Sequence, residues 1–396
     1  MGNTKTLTRP HVAVFIPRAR YDNVRACHKE GWTLTQLGYR VTVVSRDPGP
    51  ERYLGMRMLR ADAPSNSLLR WLVNMPRLLA QARSLQADLY LLCNPDTILL
   101  ACALKFAGKR VIYDTWEDFS RRPHIHSGLP RFLRAFACRS LTWGERCIAR
   151  LAEAVIVTQP QQLRSLGPKA LLLDNAPLIE GPVVEEANRQ ASELSTPDHL
   201  NLIYVGTMSR TRGMISMLDL LQRINEYRVC RLTLIGWCSD KTLLLEAQQH
   251  PAWQYVDFLG RLSHAETLAR ISKANLGLAL LDDVADYPTS SITKLYEYMQ
   301  FGTPFVATAF ERWRNSLRGT EAGLFVDPTD IENVAQSILS LVSDPQRLRK
   351  IGRNGADFIA REFNWGISSR SFLRCVTALI DVPACEVKQA ASFAPD

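Results

Sequence analysis

A lysine and a glutamate, Lys294 and Glu297, lie three residues apart just after the hydroxyl residues Ser290 and Ser291. In SSITKLYEYMQ (290–300), apolar side chains recur at helical spacing, which predicts a helix with Lys294 and Glu297 together on a second face. The first turn of a helix offers free N–H groups to an anion, so a phosphate could bind there beside the lysine. The glutamate could accept hydrogen bonds from neutral hydroxyls such as those of a ribose. The alternative is an exposed ion pair, worth only about 0.3–0.5 kcal/mol.

A second candidate anion site lies earlier, in the stretch YVGTMSRTRG (204–213). A strand is predicted to end at Gly206 and a helix to begin after Gly213, and both glycines would allow close approach of the backbone to a ligand. Arg210 and Arg212 add positive charge. The stretch matches neither GxGxxG nor GxxxxGK[ST], so a tight turn with two solvated arginines is the alternative interpretation.

Short β-branched or apolar runs alternate with amphipathic segments along the whole chain, which predicts parallel sheets covered by helices on both faces. In the first half, strands are expected at 11–17, 39–46, 87–95, 110–118, 154–160 and 170–175. After a polar break at 176–199, further strands are expected at 200–206, 231–236, 255–260, 276–281, 303–308 and 323–327. This pattern predicts two successive βα domains with a cleft between them, and ligands beyond the carboxyl ends of the strands.

The composition of the 396 residues excludes several classes of protein. It is typical of a globular protein with two cores, and no apolar run is long enough to span a bilayer. The nine cysteines contain no CxxC pair, which favours reduced thiols in a cytoplasmic protein. His124 and His126 have no third candidate metal ligand near them in the sequence, so no metal site is expected.

The positive charge belongs to the first half: residues 1–180 hold 26 Lys and Arg against 14 Asp and Glu. No nucleic-acid-binding signature accompanies it, which leaves an anionic membrane surface as the expected partner. The stretch 129–143 predicts an amphipathic helix with an apolar side and, opposite it, Arg131, Arg134 and Arg139 as membrane contacts. A helix packed on its own sheet is the alternative, and core positions are the expectation for Trp71, Trp143 and Trp253.

Several longer stretches of the chain occur in a distinctive order. The second half contains YVGTMSRTRG, FLGRLSHAETLARISKANLGLALL, KLYEYMQFGTPFVAT and a closing FNW, in that order. The first half contains DNVRACHKEGWTLTQLGYRVTVVSRD and GKRVIYDTWEDF. Through these stretches almost the whole chain resembles the family 4 glycosyltransferases, which have the GT-B fold, and the first half resembles the acceptor-side domain of that family. The ordered set is specific, although each piece alone is weak.

The resemblance implies that donor-binding residues hold a nucleotide diphosphate sugar. These are Gly206, Thr207, Arg210, Arg212, Gly213, Ser290, Ser291, Lys294 and Glu297. Glu297 matches the second glutamate of the E-x7-E motif of the family, which binds the ribose, whereas Thr289 stands where the first glutamate would be. Thr207 stands where an arginine often follows the glycine, and Arg210 could substitute for that cation.

On the acceptor side, the resemblance draws attention to Glu117 and Asp118 as catalytic candidates. They could orient an acceptor hydroxyl, or simply cap the next segment. Trp116 stands where the related sequences have a histidine that faces the transferred sugar. Cys93 and Asn94 likewise stand where these sequences tend to have His and Asp.

The resemblance thus implies a retaining glycosyltransferase of the hexosyltransferase type, acting in the biosynthesis of cell-surface polysaccharides or glycoconjugates. Its donor would be a UDP- or GDP-sugar, and its acceptor a hydroxyl of a glycan or lipid-linked acceptor. No cofactor or metal is expected, and the location would be cytoplasmic and peripheral on the membrane. The alternatives are a sugar-nucleotide epimerase on the same fold and a non-catalytic relative that binds a sugar nucleotide or a partner. The expected parts are an acceptor-side Rossmann-like domain at 1–177, a nucleotide-sugar-binding Rossmann-like domain at 178–366, and at 367–396 a helix that returns to the first domain, with a tail.

Overall fold

The chain divides into two compact units. A computed structural model describes residues 9–62, 68–117, 131–195, 198–284, 287–290 and 293–380, without the side chains of 68–74 and 131–134. The first unit extends to Asn175 and resumes at Trp365, and the second runs from Ala176 to Asn364. The boundaries predicted from the sequence lie after residues 177 and 366, two residues later in each case.

One sheet forms the centre of the first unit. Most of its strands are apolar runs of the sequence, and they are buried because helices cover the sheet. Among the described residues its order is β3-β4-β2-β1-β5-β6-β7-β8, parallel except for the antiparallel pair β3 and β4. The strands are β1 (His11–Arg20), β2 (Arg40–Asp47), β3 (Arg52–Tyr53), β4 (Met56–Arg60), β5 (Leu89–Cys93), β6 (Val111–Thr115), β7 (Ala154–Val157) and β8 (Ala170–Leu172).

Helices connect these strands and cover the sheet. A π-helical segment, Val24–Gly31, runs directly into the first α-helix. Phe15 and Tyr113 from the strands form a core with Leu100 and Ile148 from the helices. The helices are α1 (Trp32–Gln36), α2 (Leu68–Ser84), α3 (Ile98–Phe106), α4 (Arg131–Leu151) and α5 (Pro160–Leu166).

The second unit has a parallel sheet of its own, with the order β11-β10-β9-β12-β13-β14 among the described residues. Its strands are β9 (Leu200–Met208), β10 (Cys230–Cys238), β11 (Val256–Gly260), β12 (Leu276–Ala279), β13 (Phe305–Thr308) and β14 (Gly323–Val326). Its helices are α6 (Pro182–Glu193), α7 (Met214–Asn225), α8 (Lys241–Gln249), α9 (His264–Ile271), α10 (Thr293–Gln300), α11 (Glu311–Ser316), α12 (Ile331–Val342) and α13 (Pro345–Arg361).

The last described helices, α14 (Trp365–Ser368) and α15 (Arg370–Leu379), belong to the first unit. The indole Nε1–H of Trp365 donates to Thr33 Oγ1 at 2.8 Å, and the hydroxyl of Tyr39 donates to the carbonyl of Ile380 at 2.9 Å. These buried hydrogen bonds attach the end of the described chain to the π-helical and α1 region.

The predicted class, two α/β units with parallel sheets, is confirmed. The short strands β3 and β4 were missed, because β4, MRMLR, carries two exposed arginines, Arg57 and Arg60, and resembles a polar loop. The described residues of the segment 176–199, which exclude 196 and 197, form no strand, as expected, but include α6.

Candidate functional site

The centre of the candidate site is the ammonium group of Lys294, near the N-terminus of α10. The residue is half-buried, but its Nζ atom is buried and has no hydrogen-bond partner among the described residues. It lies 3.8 Å from the centre of the Tyr204 ring on β9. A Cβ atom added to Gly206, which has a φ of 131°, would lie 3.4 Å from Nζ. Because that φ favours glycine, the backbone of β9 approaches the ammonium without an intervening side chain.

A second cation, Arg212 on the loop after β9, lies near Lys294 and contacts Tyr287. Its Nε–H donates to the Tyr287 hydroxyl at 3.3 Å, and its guanidinium carbon lies 5.6 Å from the centre of the Tyr287 ring. Burial lowers the pKa of Lys294 well below its usual value, and the positive charge of Arg212 lowers it further. Two neighbouring cations repel each other, so their arrangement is complementary to an anion.

Glu297, one turn further along α10, lies against His264 at the start of α9. Their closest atoms, Glu297 Oε1 and His264 Nε2, are 3.2 Å apart, and both side chains are largely buried. The ammonium of Lys294 makes no hydrogen bond to Glu297. The alternative interpretation, an exposed Lys294–Glu297 ion pair, is therefore wrong, because packing buries this face of α10 as well as its apolar face.

His264 was missed from the sequence, although a signal was present. Ser263 and Glu266 form a capping box: the Ser263 hydroxyl accepts from the Glu266 N–H, and the Glu266 carboxylate accepts from the Ser263 N–H. This box fixes the start of α9 and makes His264 its first residue. The sequence could therefore have indicated that His264 begins a helix, but not that its ring contacts Glu297.

The remaining donor-site candidates on the loop after β9 have different environments. Gly213 has a left-handed φ of 75°, and a Cβ there would clash with the carbonyl of Leu280, so the turn requires glycine. The carbonyl of Thr207 accepts a hydrogen bond from the Tyr204 hydroxyl at 2.8 Å. Arg210 is exposed and forms an ion pair with Glu246 on α8. Its predicted substitution for the missing cation at Thr207 gains no support from that position.

The hydroxyl residues before α10 are only partly described. The Ser290 hydroxyl donates to the carbonyl of Tyr287 at 3.1 Å, and the Ser290 carbonyl accepts from the Trp313 indole at 2.9 Å. Ser290 therefore helps to hold Tyr287, which contacts Arg212. Ser291 lies outside the described residues.

In the first unit, the catalytic candidate Glu117 lies just beyond the carboxyl end of β6. The carbonyl of Glu117 accepts hydrogen bonds from Thr115 Oγ1 at 2.9 Å and from Gln162 Nε2 at 3.2 Å. Its backbone is thus fixed beyond the strand, where ligands bind in open parallel sheets. Asp118 lies outside the described residues.

A buried charge network, missed from the sequence, supports this end of β6. Arg25 donates from Nε and Nη2 to the two oxygens of Asp114, each at 2.9 Å, and its Nε lies 3.1 Å from Glu30 Oε1. Burial is the main cause that raises the pKa of Glu30 and of the Cys93 thiol well above their usual values. Asp114, Glu30 and Cys93 lie close enough together to suggest metal ligands. However, a guanidinium already neutralises the group, and protonated thiols and carboxyls are poor ligands.

The predicted membrane-contact helix is α4, and the structure corrects the arrangement of its sides. Phe136 and Trp143 are 69% and 70% exposed, and Arg139 is exposed as well. Successive steps of 100° place Trp143 between Phe136 and Arg139, so these three share one face and the prediction of opposite sides was wrong. The core position expected for Trp143 was also wrong. The side chains of Arg131, Arg134 and Trp71 lie outside the described residues, as do His124 and His126, whereas Trp253 packs against the core of the second unit.

Comparisons with known proteins agree with the two-unit fold. The family model described as "Glycosyl transferases group 1" matches residues 185–358, and the "Glycosyl transferase 4-like domain" matches residues 31–171. Together they span most of the chain, one in each unit. Among the described residues, no helix combines the length and the apolar character needed to cross a membrane.

Two curated relatives resemble parts of the chain. Glycogen synthase from Mycobacterium tuberculosis is 23% identical over 166 residues, which are 41% of this chain and 39% of that protein. Phosphatidyl-myo-inositol mannosyltransferase from Mycobacterium leprae is 23% identical over 236 residues, 59% of each chain. The chain thus spans less than two thirds of the length of these relatives.

A solved structure shares the fold over nearly the full length. HepE from Anabaena, in complex with UDP and glucose, superposes with a TM-score of 0.68 at 14% identity, covering 93% of this chain and all of that one. This likeness shows the arrangement of elements in each unit, and the two family models supply the relationship in sequence. The chain belongs to the family 4-like glycosyltransferases of the GT-B fold.

Proposed function

We propose that the protein transfers a sugar from a nucleoside diphosphate sugar to a hydroxyl of a glycan or lipid-linked acceptor. The observation that carries this proposal is the buried, unpartnered ammonium of Lys294 beside Gly206 and Arg212. A buried cation without a partner is costly in the free protein and is complementary to a diphosphate. Glu297 would accept hydrogen bonds from the ribose, with His264 beside it.

UDP- or GDP-sugars are the donors that we favour. HepE is described in complex with UDP and glucose, and one curated relative is a mannosyltransferase. As the departing diphosphate gains negative charge, Arg212 and Lys294 would stabilise it electrostatically. We expect retention of anomeric configuration from the family, with catalysis mainly by positioning and by neutralising the leaving group.

We propose further that the acceptor is lipid-linked and that the protein contacts an anionic membrane through its first unit. Support comes from α4, where Phe136 and Trp143 are exposed together with Arg139, Arg146 and Arg150. On neighbouring α3, Phe106 is 82% exposed. Exposed aromatic rings among arginines suit the headgroup layer of an anionic leaflet, where each nearby cation contributes about 1 kcal/mol. The mannosyltransferase relative has a lipid in its name, which agrees with such an acceptor.

The function is tested in two steps. A thermal-shift screen with UDP, GDP, ADP and TDP sugars should identify one donor that raises the melting temperature, because a ligand that binds only the folded state stabilises it. The purified protein is then incubated with that labelled donor, with and without a lipid-linked oligosaccharide. Label in the oligosaccharide supports the transferase. An altered free sugar nucleotide would support an epimerase, and binding without any product would support a non-catalytic relative.

A further inference from the structure

The indole ring of Trp116, directly after β6, is held by the buried charge network. Its Nε1–H donates to Asp114 Oδ2 at 2.6 Å, and Asp114 is in turn fixed by the two hydrogen bonds from Arg25. The carbonyl of Trp116 accepts from the Thr158 hydroxyl at 2.9 Å. The ring is partly exposed, so one portion of a fixed aromatic surface faces the surroundings. Such a ring loses little conformational entropy when a ligand packs on it.

The turn after the neighbouring strand β5 carries two acceptor oxygens and is joined to the end of β6, two residues before Trp116. The backbone N–H of Asn94 donates to the carbonyl of Asp114 at 2.9 Å, which fixes the turn against the end of β6. Asn94 Oδ1 and Asp96 Oδ2 are buried and have no hydrogen-bond partner among the described residues. Asn94 also has a φ of 70°, a strained value for a non-glycine residue, and such strain is concentrated at functional sites.

The two oxygens require donors rather than acceptors. Burial raises the pKa of Asp96 to about 6, so above that pH both groups accept hydrogen bonds and one carries a negative charge. A phosphate or carboxylate is therefore disfavoured, whereas neutral hydroxyl groups fit. A pyranose ring combines such hydroxyls with an apolar C–H face that can pack on an aromatic ring.

We propose that Trp116 is a stacking platform for a pyranose, with Asn94 and Asp96 as acceptors for its hydroxyls. The inference rests on the proposed function and makes Trp116 a residue that determines sugar specificity. The pyranose could be the transferred sugar of the donor or the terminal sugar of the acceptor. Both have the same chemistry, and two measurements distinguish them.

The first measurement compares the dissociation constants of the donor and of its nucleoside diphosphate, for the wild type, Trp116→Ala, Trp116→Phe and Asp96→Asn. The second determines the KM of donor and acceptor for the same proteins. Tyr227→Ala, which removes an exposed ring from the second unit, is the control, and circular dichroism checks the fold. Because aromatic stacking is modest, Trp116→Ala should weaken sugar binding by about threefold to tenfold. Trp116→Phe should restore most of it, and Asp96→Asn should weaken sugar binding without affecting the nucleoside diphosphate.

Loss of the affinity difference between donor and nucleoside diphosphate assigns the platform to the transferred sugar. A raised KM for the acceptor alone assigns it to the acceptor sugar. If the wild type binds donor while folded Trp116→Ala and Asp96→Asn change neither quantity, the platform is refuted and the proposed function stands. If the wild type binds no sugar nucleotide and transfers no sugar, the proposed function fails and the platform with it.

Discussion

The ammonium of Lys294 lies 3.8 Å from the centre of the Tyr204 ring, and after burial itself the nearby positive charge of Arg212 is the main cause that lowers the pKa of this lysine. Two cations thus lie near each other in the second unit, Lys294 against the Tyr204 ring and Arg212 against the Tyr287 ring. A cation–π contact with the Tyr204 ring partly offsets the free-energy cost of burying the Lys294 ammonium. Lys294 Nζ nevertheless has no hydrogen-bond acceptor among the described residues. This arrangement is costly without an anion and favourable with one, as expected of a binding site formed before its ligand arrives.

Replacing Glu297 should weaken the recognition of ribose. Loss of a charged hydrogen bond in Glu297→Ala should cost about 1.5–3 kcal/mol of donor binding, and Glu297→Gln should fall between this variant and the wild type. Isothermal titration with the nucleoside diphosphate and with its 2′,3′-dideoxy form tests the contact directly. The wild type should discriminate strongly between them, and Glu297→Ala should not. Glu311→Ala, which removes an exposed carboxylate from α11, is the matched control. If a folded Glu297→Ala protein still binds the nucleoside diphosphate much more tightly than the dideoxy form, Glu297 does not bind the ribose.

Arg212 should recognise the diphosphate rather than the nucleoside. We expect Arg212→Met to weaken binding of the nucleoside diphosphate by about 1.5–3 kcal/mol, with little effect on the nucleoside. Arg210→Met is the informative comparison, because Arg210 is exposed and paired with Glu246. We expect it to retain nearly normal affinity for both ligands. An equal loss for both ligands in Arg212→Met would mean that Arg212 supports the fold, and a large selective loss in Arg210→Met would restore its predicted role.

Donor binding should take up a proton. Burial lowers the pKa of Lys294 in the free protein, and a bound diphosphate should raise it again by stabilising the charged form. Affinity is therefore highest below the pKa of the free state and falls as the pH rises through it. Titrations between about pH 7.5 and 9.5, where a phosphate with a second pKa near 6 is already ionised, isolate this effect. Calorimetric titrations in buffers with different heats of ionisation give the number of protons that are taken up on binding, because the observed binding enthalpy then changes with the buffer. Proton release, or uptake that persists in Lys294→Met, would contradict the assignment.

Membrane binding should depend on the exposed face of α4. Sedimentation with liposomes should increase with anionic lipid, decrease with salt and weaken in the triple variant Arg139→Gln, Arg146→Gln, Arg150→Gln. The control removes three exposed arginines of α13 instead, as Arg347→Gln, Arg349→Gln, Arg353→Gln, with the same change in net charge. Equal losses in both variants would indicate attraction by net charge alone. A protein that stays in solution with anionic liposomes at low salt would refute membrane contact.

The alternating pattern of strands and helices was sufficient to predict the class of the fold, because buried parallel strands leave a strong apolar signal. The glycine at 213 was predictable for a similar reason, since a strand–helix junction commonly requires a left-handed residue. The two strands at the edge of the first sheet were missed because an edge strand exposes polar side chains and lacks that signal.

The side-chain environments were much less predictable. Helical periodicity places Lys294 and Glu297 on one face of α10, but not whether other elements cover that face. Burial of Lys294 depends on Tyr204, ninety residues earlier, and the position of Glu297 depends on His264. Similarly, the link from Arg25 to Asp114 joins residues far apart in sequence, and spacing along the chain carries no information about it.

The most direct test of the central claim is the stability of Lys294→Met with and without the nucleoside diphosphate. Methionine fills a similar volume without burying an unpartnered polar nitrogen, which costs about 1–3 kcal/mol. We therefore expect the free energy of unfolding of the ligand-free variant to rise by up to that amount, while the stabilisation by nucleoside diphosphate disappears. Urea unfolding at a fixed pH, with and without saturating ligand, gives both quantities. A variant that is less stable than the wild type and still gains the full stabilisation from the ligand would show that Lys294 serves the core and not the diphosphate.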